Sequence, residues 1–365
     1  MKSRLTVLTT TYNQEKYIAD ALDGFVNQET SFPFEVIVSD DCSTDSTAKI
    51  INDYAKKYPK IIKPIFNKTN KGPMLNFVET LDKISSEYVA FCDGDDYWCD
   101  NNKLQEQVDY LDSHPDYSVC FHQTKIFFEN KEKPDEVFPL KNFPKTTEFS
   151  DLLKQNYIPA NTVVYRWKFN EQNKLSDCFP KNIVPGDYYI HLLHANDGKI
   201  HFINKVMSCY RRHSGGMWWL SSQDDRQDDF TLKYGILYYN FFKSVEENFN
   251  LDRNTYKVQK NYLAKDLVRV YAANGRLDEL FPMWKYDKDL FNECAVNLKA
   301  NDSLYDKLSN PKKLAYSIFI EPSLFSSKVI LKLKKVKTLR LIGRGIKSIL
   351  RKVRHVKVDN INAVK

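Results

Sequence analysis

Strand-like and helix-like segments alternate along the first hundred residues of this 365-residue chain, and this alternation constrains the fold more than any other feature. Each strand-like segment is rich in β-branched and apolar residues, and helical spacing of apolar residues follows it. The strand-like segments are Arg4–Tyr12, Phe34–Val38, Lys60–Phe66 and Glu87–Cys92. Such an alternation predicts an α/β protein with a mostly parallel sheet and helices on both faces.

Three of these four predicted strands end in polar clusters. The clusters are Thr10-Tyr12-Asn13, Asp40-Asp41-Cys42-Ser43 and Asp93-Gly94-Asp95-Asp96. Parallel strands end at the same edge of a sheet, and ligands of such sheets bind in the crevice beyond that edge. We therefore expect the three clusters to converge on one site.

The third cluster places three carboxylates directly after a buried strand, and the nearest base, Lys103, lies beyond a predicted turn. Mg²⁺ and Mn²⁺ prefer oxygen ligands and are often held by one or two carboxylates together with substrate phosphates. Gly94 permits a tight turn or a close approach of a ligand to the backbone. A plain acidic loop that caps the following helix is the alternative interpretation, and the two neighbouring polar clusters favour the metal.

Composition excludes several other classes of protein. The seven cysteines are scattered without CxxC spacing, which argues against a disulfide framework or a zinc site. The first residues lack a secretory signal, and no apolar stretch reaches the ~18 residues of a membrane-spanning helix. We therefore expect a cytoplasmic protein.

The blocks "VLTTTYNQEKYIADALDGFVNQ", "FEVIVSDDCSTDST" and "YVAFCDGDDYW", the last followed by "NKLQEQVDYL", resemble successive blocks of the family-two glycosyltransferases. The resemblance covers roughly residues 1–215. It implies a GT-A fold, which is a Rossmann-like, mostly parallel sheet flanked by helices, followed here by a helical C-terminal region. It also implies an inverting enzyme that uses a nucleotide sugar and Mn²⁺ or Mg²⁺.

The resemblance also implies roles for residues of the polar clusters. Thr10, Tyr12 and Asn13 correspond to first-strand positions that line the uridine site. Asp41 corresponds to the carboxylate that accepts a hydrogen bond from the uracil imide N–H. The block "NKGPMLNF" replaces a family turn but lacks its usual arginine, so it leaves three candidates for the nucleotide and its pyrophosphate: Asn70, Lys71 and Asn76.

The acidic cluster takes the metal-binding role in this family. Asp95 would ligate the cation that bridges the two phosphates, and Asp93 would contact the ribose or a metal-bound water, or serve as a second metal ligand. Asp96 would support that shell or face the sugar.

Two later blocks complete the implied site. Asp187, in "IVPGDYYIHLL", lies where these enzymes carry the general base, although a carboxylate after Pro185-Gly186 also suits a helix N-cap. In "YRRHSGGMWW", His213 is a candidate metal ligand or phosphate donor, and Arg211 or Arg212 is a candidate for the pyrophosphate.

The chain is predicted to have three parts: a catalytic domain at 1–220, a helical domain at 221–327 and a basic tail at 328–365. The tail holds thirteen Lys or Arg residues and one acid, Asp359, with apolar residues at three- and four-residue steps. A basic amphipathic helix is typical of a segment that lies on an anionic membrane surface. Packing on its own domain and nucleic-acid binding are the alternatives, and the absence of a recognised nucleic-acid-binding fold argues against the second.

The sequence therefore predicts a hexosyl- or N-acetylhexosaminyltransferase that works peripherally on the inner face of the cell membrane. Its donor would be a nucleotide sugar, and we expect a UDP-sugar. Its acceptor would be a hydroxyl of a glycan or lipid-linked glycan in capsule, O-antigen or other surface polysaccharide synthesis. The alternative is a catalytically inactive nucleotide-binding or scaffold protein of the same fold.

Overall fold

The computed structural model describes residues 3–131, 133–223, 226–287, 290–291 and 293–294, and the expected alternation of strands and helices is present in it. The strands are β1 Leu5–Thr11, β2 Phe34–Asp40, β3 Ile62–Phe66, β4 Tyr88–Phe91, β5 Tyr97–Trp98, β6 Tyr117–Phe128, β7 Glu136–Phe138, β8 Thr146–Thr147, β9 Val164–Arg166 and β10 Lys199–Arg212. The α-helices are α1 Ile18–Val26, α2 Thr47–Lys57, α3 Pro73–Leu81, α4 Lys103–Ser113, α5 Phe149–Leu152, α6 Gly186–Ala195, α7 Gln227–Asn248, α8 Lys257–Ala273 and α9 Phe281–Tyr286.

The strands form one mixed sheet in the order β3-β2-β1-β4-β9-β6-β10-β5, with β7 beside β6 and β8 beside β10. β1 pairs in parallel with β2 and β4, β2 pairs in parallel with β3, and the long strands β6 and β10 are parallel to each other. β9 is antiparallel to both of its neighbours and joins the two parallel parts of the sheet. The predicted α/β architecture with a mostly parallel sheet is confirmed.

The core lies between the sheet and helices such as α1, α2 and α4. The sequence of β1, LTVLTTT, is rich in β-branched residues and is buried along most of its length, as expected for a central parallel strand. α1 turns Ile18, Ala21, Leu22 and Phe25 inward, at the spacing of one helix face. The first helix is therefore fixed against the sheet by apolar contacts, and its polar residues are left near the sheet edge.

β5 was not anticipated from the sequence because a two-residue strand has no periodicity to detect. Its residues Tyr97 and Trp98 pair antiparallel with Cys209 and Ser208 of β10. This short pairing brings the end of β10 against the acidic loop that precedes β5.

The chain divides into two compact units, residues 1–224 and residues 225 onward. In the second unit, α7 and α8 pack around a core that includes Tyr239, Leu267 and Tyr271. Glu246 and Lys260 form a buried ion pair there at 2.7 Å. The predicted basic tail, 328–365, lies outside the described residues. Among those residues, no helix has the length and apolarity needed to span a membrane.

Candidate active site

The acidic loop, residues 93–96, follows β4 at the carboxyl edge of the sheet. The Gly94 N–H donates to the Thr10 carbonyl at 3.2 Å, which ties the loop to the end of β1. A Cβ on Gly94 would lie 2.5 Å from Gln14 Oε1 and 3.0 Å from Thr11 Cβ. The loop therefore packs closely against Gln14 and the end of β1 at this position.

Replacing Gly94 by Ala is expected to lower the free energy of unfolding by about 1–3 kcal/mol, because an added methyl group overpacks the contact with β1. Urea-induced unfolding measures this change. Gly216→Ala is the matched control: its nearest atom would be 3.3 Å away, and its effect should stay within about 0.5 kcal/mol. Equal stabilities of the Gly94 variant and the wild type would contradict the close packing of this loop.

Asp95 and His213 meet at the centre of the site, with 2.9 Å between Asp95 Oδ2 and His213 Nε2. His213 is 7% exposed, and its ring packs against that of Tyr17 with 4.6 Å between centroids. His213 Nδ1 lies 3.3 Å from the Gly215 backbone nitrogen, and Nε2 is the ring nitrogen that faces Asp95. The structure thus brings together two of the predicted metal ligands.

Asp93 lies beside this pair and accepts a weak hydrogen bond from Thr10 Oγ1 at 3.4 Å. Desolvation, together with the charges of Asp95 and Asp187, raises the pKa of Asp93 to about 7. The shift records an excess of negative charge that a bound cation would relieve.

The donor set fits a hard divalent cation that is completed by a substrate. Among the residues that the structure describes, no three His, Cys, Asp or Glu side chains form a complete metal site. Two ligands at ~2.1 Å in octahedral geometry stand about 3 Å apart, which agrees with the separation of Asp95 and His213. Asp95 and His213 would hold the cation, with Asp93 beside them, and the diphosphate would supply the remaining oxygens.

Asp96 is buried, with 3% of its surface exposed. Its Oδ1 accepts the backbone N–H of Arg211 at 2.8 Å. Desolvation and then the charge of Asp95 raise the pKa of Asp96 well above its usual range. Asp96 therefore supports the loop from within, which is one of the two roles expected for it.

Arg211 differs from the expectation that it faces the pyrophosphate. Its guanidinium donates to the Asp95 carbonyl at 3.0 Å and to Asp20 of α1 at 2.7 Å. Arg212 donates to the Trp218 carbonyl at 3.3 Å instead. The structure places Arg211 under the acidic loop, among side chains of the protein.

Asp41 lies just after β2 with 3% of its surface exposed. Its carboxylate accepts hydrogen bonds from the backbone N–H groups of Lys71 and Gly72, at 3.0 and 2.8 Å, and from Asn67 Nδ2 at 3.0 Å. Gly72 adopts a φ of 84°, a conformation that favours glycine. The turn before α3 therefore holds the Asp41 carboxylate in place.

Two of the candidates from the turn before α3 have partners within the protein. The Lys71 ammonium lies 2.7 Å from the carboxylate of Glu79 in α3. Asn76 is buried and exchanges hydrogen bonds with Ser39 and Asn67, which takes up its polar groups inside the protein. The third candidate, Asn70, accepts the Gly72 N–H at 3.0 Å and shapes the turn.

The remaining predicted nucleotide-site residues lie at the end of β1. Tyr12 is 46% exposed at the sheet edge. Asn13 adopts a φ of 53°, donates its backbone N–H to Ser43 Oγ at 2.9 Å and accepts the Thr44 N–H at 2.8 Å. Asn13 therefore links the polar cluster at the end of β1 to the cluster at the end of β2.

Asp187 lies in the first turn of α6, where backbone N–H groups favour a carboxylate. Burial raises its pKa to about 6, and hydrogen bonds from backbone N–H groups moderate the rise. Its charge reaches Asp93, whose pKa it raises. Asp187 thus lies near enough to Asp93 for the two charges to interact, with a pKa suited to accept a proton near neutral pH.

His191 lies one turn further along α6 and was not singled out from the sequence. Its Nε2 donates to the Ile158 carbonyl at 3.0 Å and lies 4.0 Å from Asp187 Oδ2, while its Nδ1 accepts from Tyr165. Burial lowers the pKa of His191 to about 3, so the ring is neutral. The neutral His191 ring therefore lies next to the Asp187 carboxylate without adding a charge.

Sequence reasoning also missed Asn67, Tyr17 and Asp20. Asn67 was missed because it follows β3, and no polar cluster was identified at the end of that strand. Asp20 belongs to α1 and Tyr17 immediately precedes it, so their spacing of three places them on one helix face. The contacts of Tyr17 with His213 and of Asp20 with Arg211 show that this face lies near the predicted metal ligands.

Known proteins resemble this chain in sequence and in fold. Residues 6–174 match the family model described as Glycosyl transferase family 2. An uncharacterized protein of Mycobacterium tuberculosis is 43% identical over 232 residues, which cover 64% of this chain and 65% of that protein. The poly(ribitol-phosphate) beta-N-acetylglucosaminyltransferase TarS of Staphylococcus aureus is 30% identical over 198 residues, covering 53% of this chain and 32% of TarS.

The crystal structure of S. aureus TarS in complex with UDP-GlcNAc is similar with a TM-score of 0.50 and 20% identity, covering 85% of this chain and 82% of that one. At this identity the similarity concerns the fold, and it confirms the predicted GT-A architecture. The chain spans less than two thirds of the length of the curated relatives described above.

Proposed function

Because residues 6–174 match the model of glycosyl transferase family 2, we propose that this chain is a metal-dependent inverting glycosyltransferase with a UDP-sugar donor. The observation that carries the proposal is the pair Asp95 and His213, 2.9 Å apart, together with Asp187, whose charge acts on the neighbouring Asp93. Asp95 and His213 suit a cation bound to a diphosphate, and Asp187 suits a general base.

The chemistry follows from these positions. Asp187 takes the proton of an acceptor hydroxyl as that oxygen forms a bond to the anomeric carbon. The bond from the anomeric carbon to the diphosphate breaks on the opposite face, so the configuration inverts. A divalent cation held by Asp95 and His213 would neutralise the charge that develops on the departing diphosphate.

Asp41 supports uracil as the base. Three donors already occupy most of its carboxylate, which leaves room for one further hydrogen bond, such as that from the uracil imide N–H. The TarS complex contains UDP-GlcNAc, which supports the same nucleotide.

The acceptor that we propose is a hydroxyl of a glycan or lipid-linked glycan of a surface polysaccharide. The name of TarS, which acts on poly(ribitol-phosphate), supports a polymeric acceptor of this kind. The basic segment 328–365 would place the enzyme on an anionic membrane, at the inner face of the cell membrane.

A screen of UDP-, GDP- and CDP-sugars for hydrolysis tests the proposal without an acceptor. We expect Mn²⁺-dependent release of UDP from at least one UDP-sugar, and no release in EDTA. Tight UDP binding without hydrolysis or transfer on any acceptor would instead indicate an inactive nucleotide-binding protein.

The rate is expected to depend on pH through Asp187. Because the base must be ionised and its pKa is raised to about 6, kcat/KM should fall about tenfold per pH unit below pH 6 and level off above pH 7. Initial rates between pH 4.5 and 8 at saturating metal measure this profile. A flat profile between pH 5 and 7 would exclude a base with this pKa.

A further inference from the structure

Arg211 makes two hydrogen bonds with the acidic loop and a third with helix α1. Its backbone N–H donates to Asp96 Oδ1 at 2.8 Å, its Nε donates to the Asp95 carbonyl at 3.0 Å, and its Nη2 donates to Asp20 at 2.7 Å. Arg211 thus contacts the main chain of Asp95, the side chain of Asp96 and helix α1.

Aromatic rings hold the guanidinium in this position. Its carbon lies 4.7 Å from the centroid of Tyr17, 5.2 Å from that of Phe127 and 5.6 Å from that of Tyr97. Such cation–π contacts are attractive and strengthen when water is excluded. With 12% of its side chain exposed, Arg211 presents little surface to a bound nucleotide.

The same segment also carries His213, two residues further along. The Tyr17 ring contacts both partners of this segment, the Arg211 guanidinium and the His213 imidazole. The contacts of Arg211 with Asp95 and Asp96 therefore fix the acidic loop against the strand that presents the histidine.

We propose that Arg211 is a positioning residue that sets the distance between the metal ligands Asp95 and His213 by clamping the acidic loop to β10 and α1. The inference rests on the proposed function. It differs from a nucleotide-binding role because Arg211 acts through the ligands and never touches the donor. Residues that orient metal ligands typically contribute 10–100-fold to metal affinity.

Titration of Mn²⁺ into the full chain with UDP, followed by calorimetry or by the EPR signal of free Mn²⁺, tests this role. Arg211→Ala should weaken Mn²⁺ binding about 10–100-fold, while UDP binding in EDTA changes less than twofold. Arg211→Lys should weaken Mn²⁺ binding as well, because an ammonium lacks the planar fork that reaches both Asp95 and Asp20. Arg211→Lys also serves as the informative variant if the alanine variant does not fold.

Arg166 provides the matched control for loss of a packed arginine. It donates to the carbonyls of Leu111 and Tyr117 and lies over the Tyr88 ring, with no contact to the acidic loop. Arg166→Ala should lower the thermal midpoint of unfolding but leave the Mn²⁺ affinity within twofold of the wild type.

Two results would overturn the inference. If both Arg211 variants bind Mn²⁺ within twofold of the wild type, Arg211 has a structural role alone. If their UDP affinity falls equally with metal and in EDTA, Arg211 contacts the donor directly. A wild-type chain that binds UDP with no dependence on metal would instead contradict the proposed function and remove the inference with it.

Discussion

Replacing Asp187 by Asn is expected to lower turnover by about 10²–10⁴-fold, because an amide cannot take the proton of the acceptor hydroxyl. Asn has nearly the same shape as Asp, so α6 and the surrounding packing should be preserved. UDP and Mn²⁺ should bind within about twofold of the wild type, since neither Asp95 nor His213 depends on Asp187 for a contact. Steady-state rates together with calorimetric titration of UDP measure both parts of the expectation.

Asp197 serves as the control, because it lies just beyond the other end of α6 and pairs with Lys168. Asp197→Asn should leave turnover within about twofold of the wild type, as for an exposed ion pair outside the site. Wild-type turnover in the Asp187 variant would exclude this residue as the base. Loss of UDP binding in the same variant would give Asp187 a role in the donor site instead.

Replacing Asp95 by Ala is expected to weaken metal-dependent UDP binding by about 100-fold or more. Loss of a residue that only orients a ligand typically costs 10–100-fold, and Asp95 would be a ligand itself. UDP binding in EDTA should change little, because the contacts proposed for uracil lie at Asp41. Titration of UDP in Mn²⁺ and in EDTA separates the two contributions.

Asp100→Ala is the matched control, since Asp100 follows the acidic loop but pairs with Lys205 at 2.8 Å. It should leave the metal dependence of UDP binding unchanged. If the Asp95 variant binds UDP in Mn²⁺ as tightly as the wild type, the cation is held elsewhere or is not needed.

The sheet was predictable because strand and helix periodicities are local properties of the sequence. Convergence of the three polar clusters followed from the rule that parallel strands end at one edge, and the contact of Asn13 with Ser43 and Thr44 joins two of these clusters. The short strand β5 was not predictable, because two residues carry no period. Its pairing with β10 determines where Arg211 and His213 lie.

The directions in which individual side chains point could not be predicted from the sequence either. The contacts of Arg211 with the acidic loop were not predicted, because Arg211 is 115 residues away from Asp96 along the chain. Lys71 and Asn76 stood at plausible positions for a pyrophosphate, yet one pairs with Glu79 and the other with buried groups. Composition and spacing locate a polar group, whereas its partner depends on long-range pairing.

The anomeric configuration of the released sugar tests the proposed mechanism most directly. Proton NMR can follow the hydrolysis of an α-linked UDP-sugar in Mg²⁺, with water in place of the acceptor. Direct displacement with Asp187 as base predicts that the β-anomer appears first, before mutarotation, and that neither anomer appears in EDTA or with the Asp187→Asn variant. Initial release of the α-anomer, or release at the same rate in EDTA, would contradict a metal-dependent inverting transfer at this site.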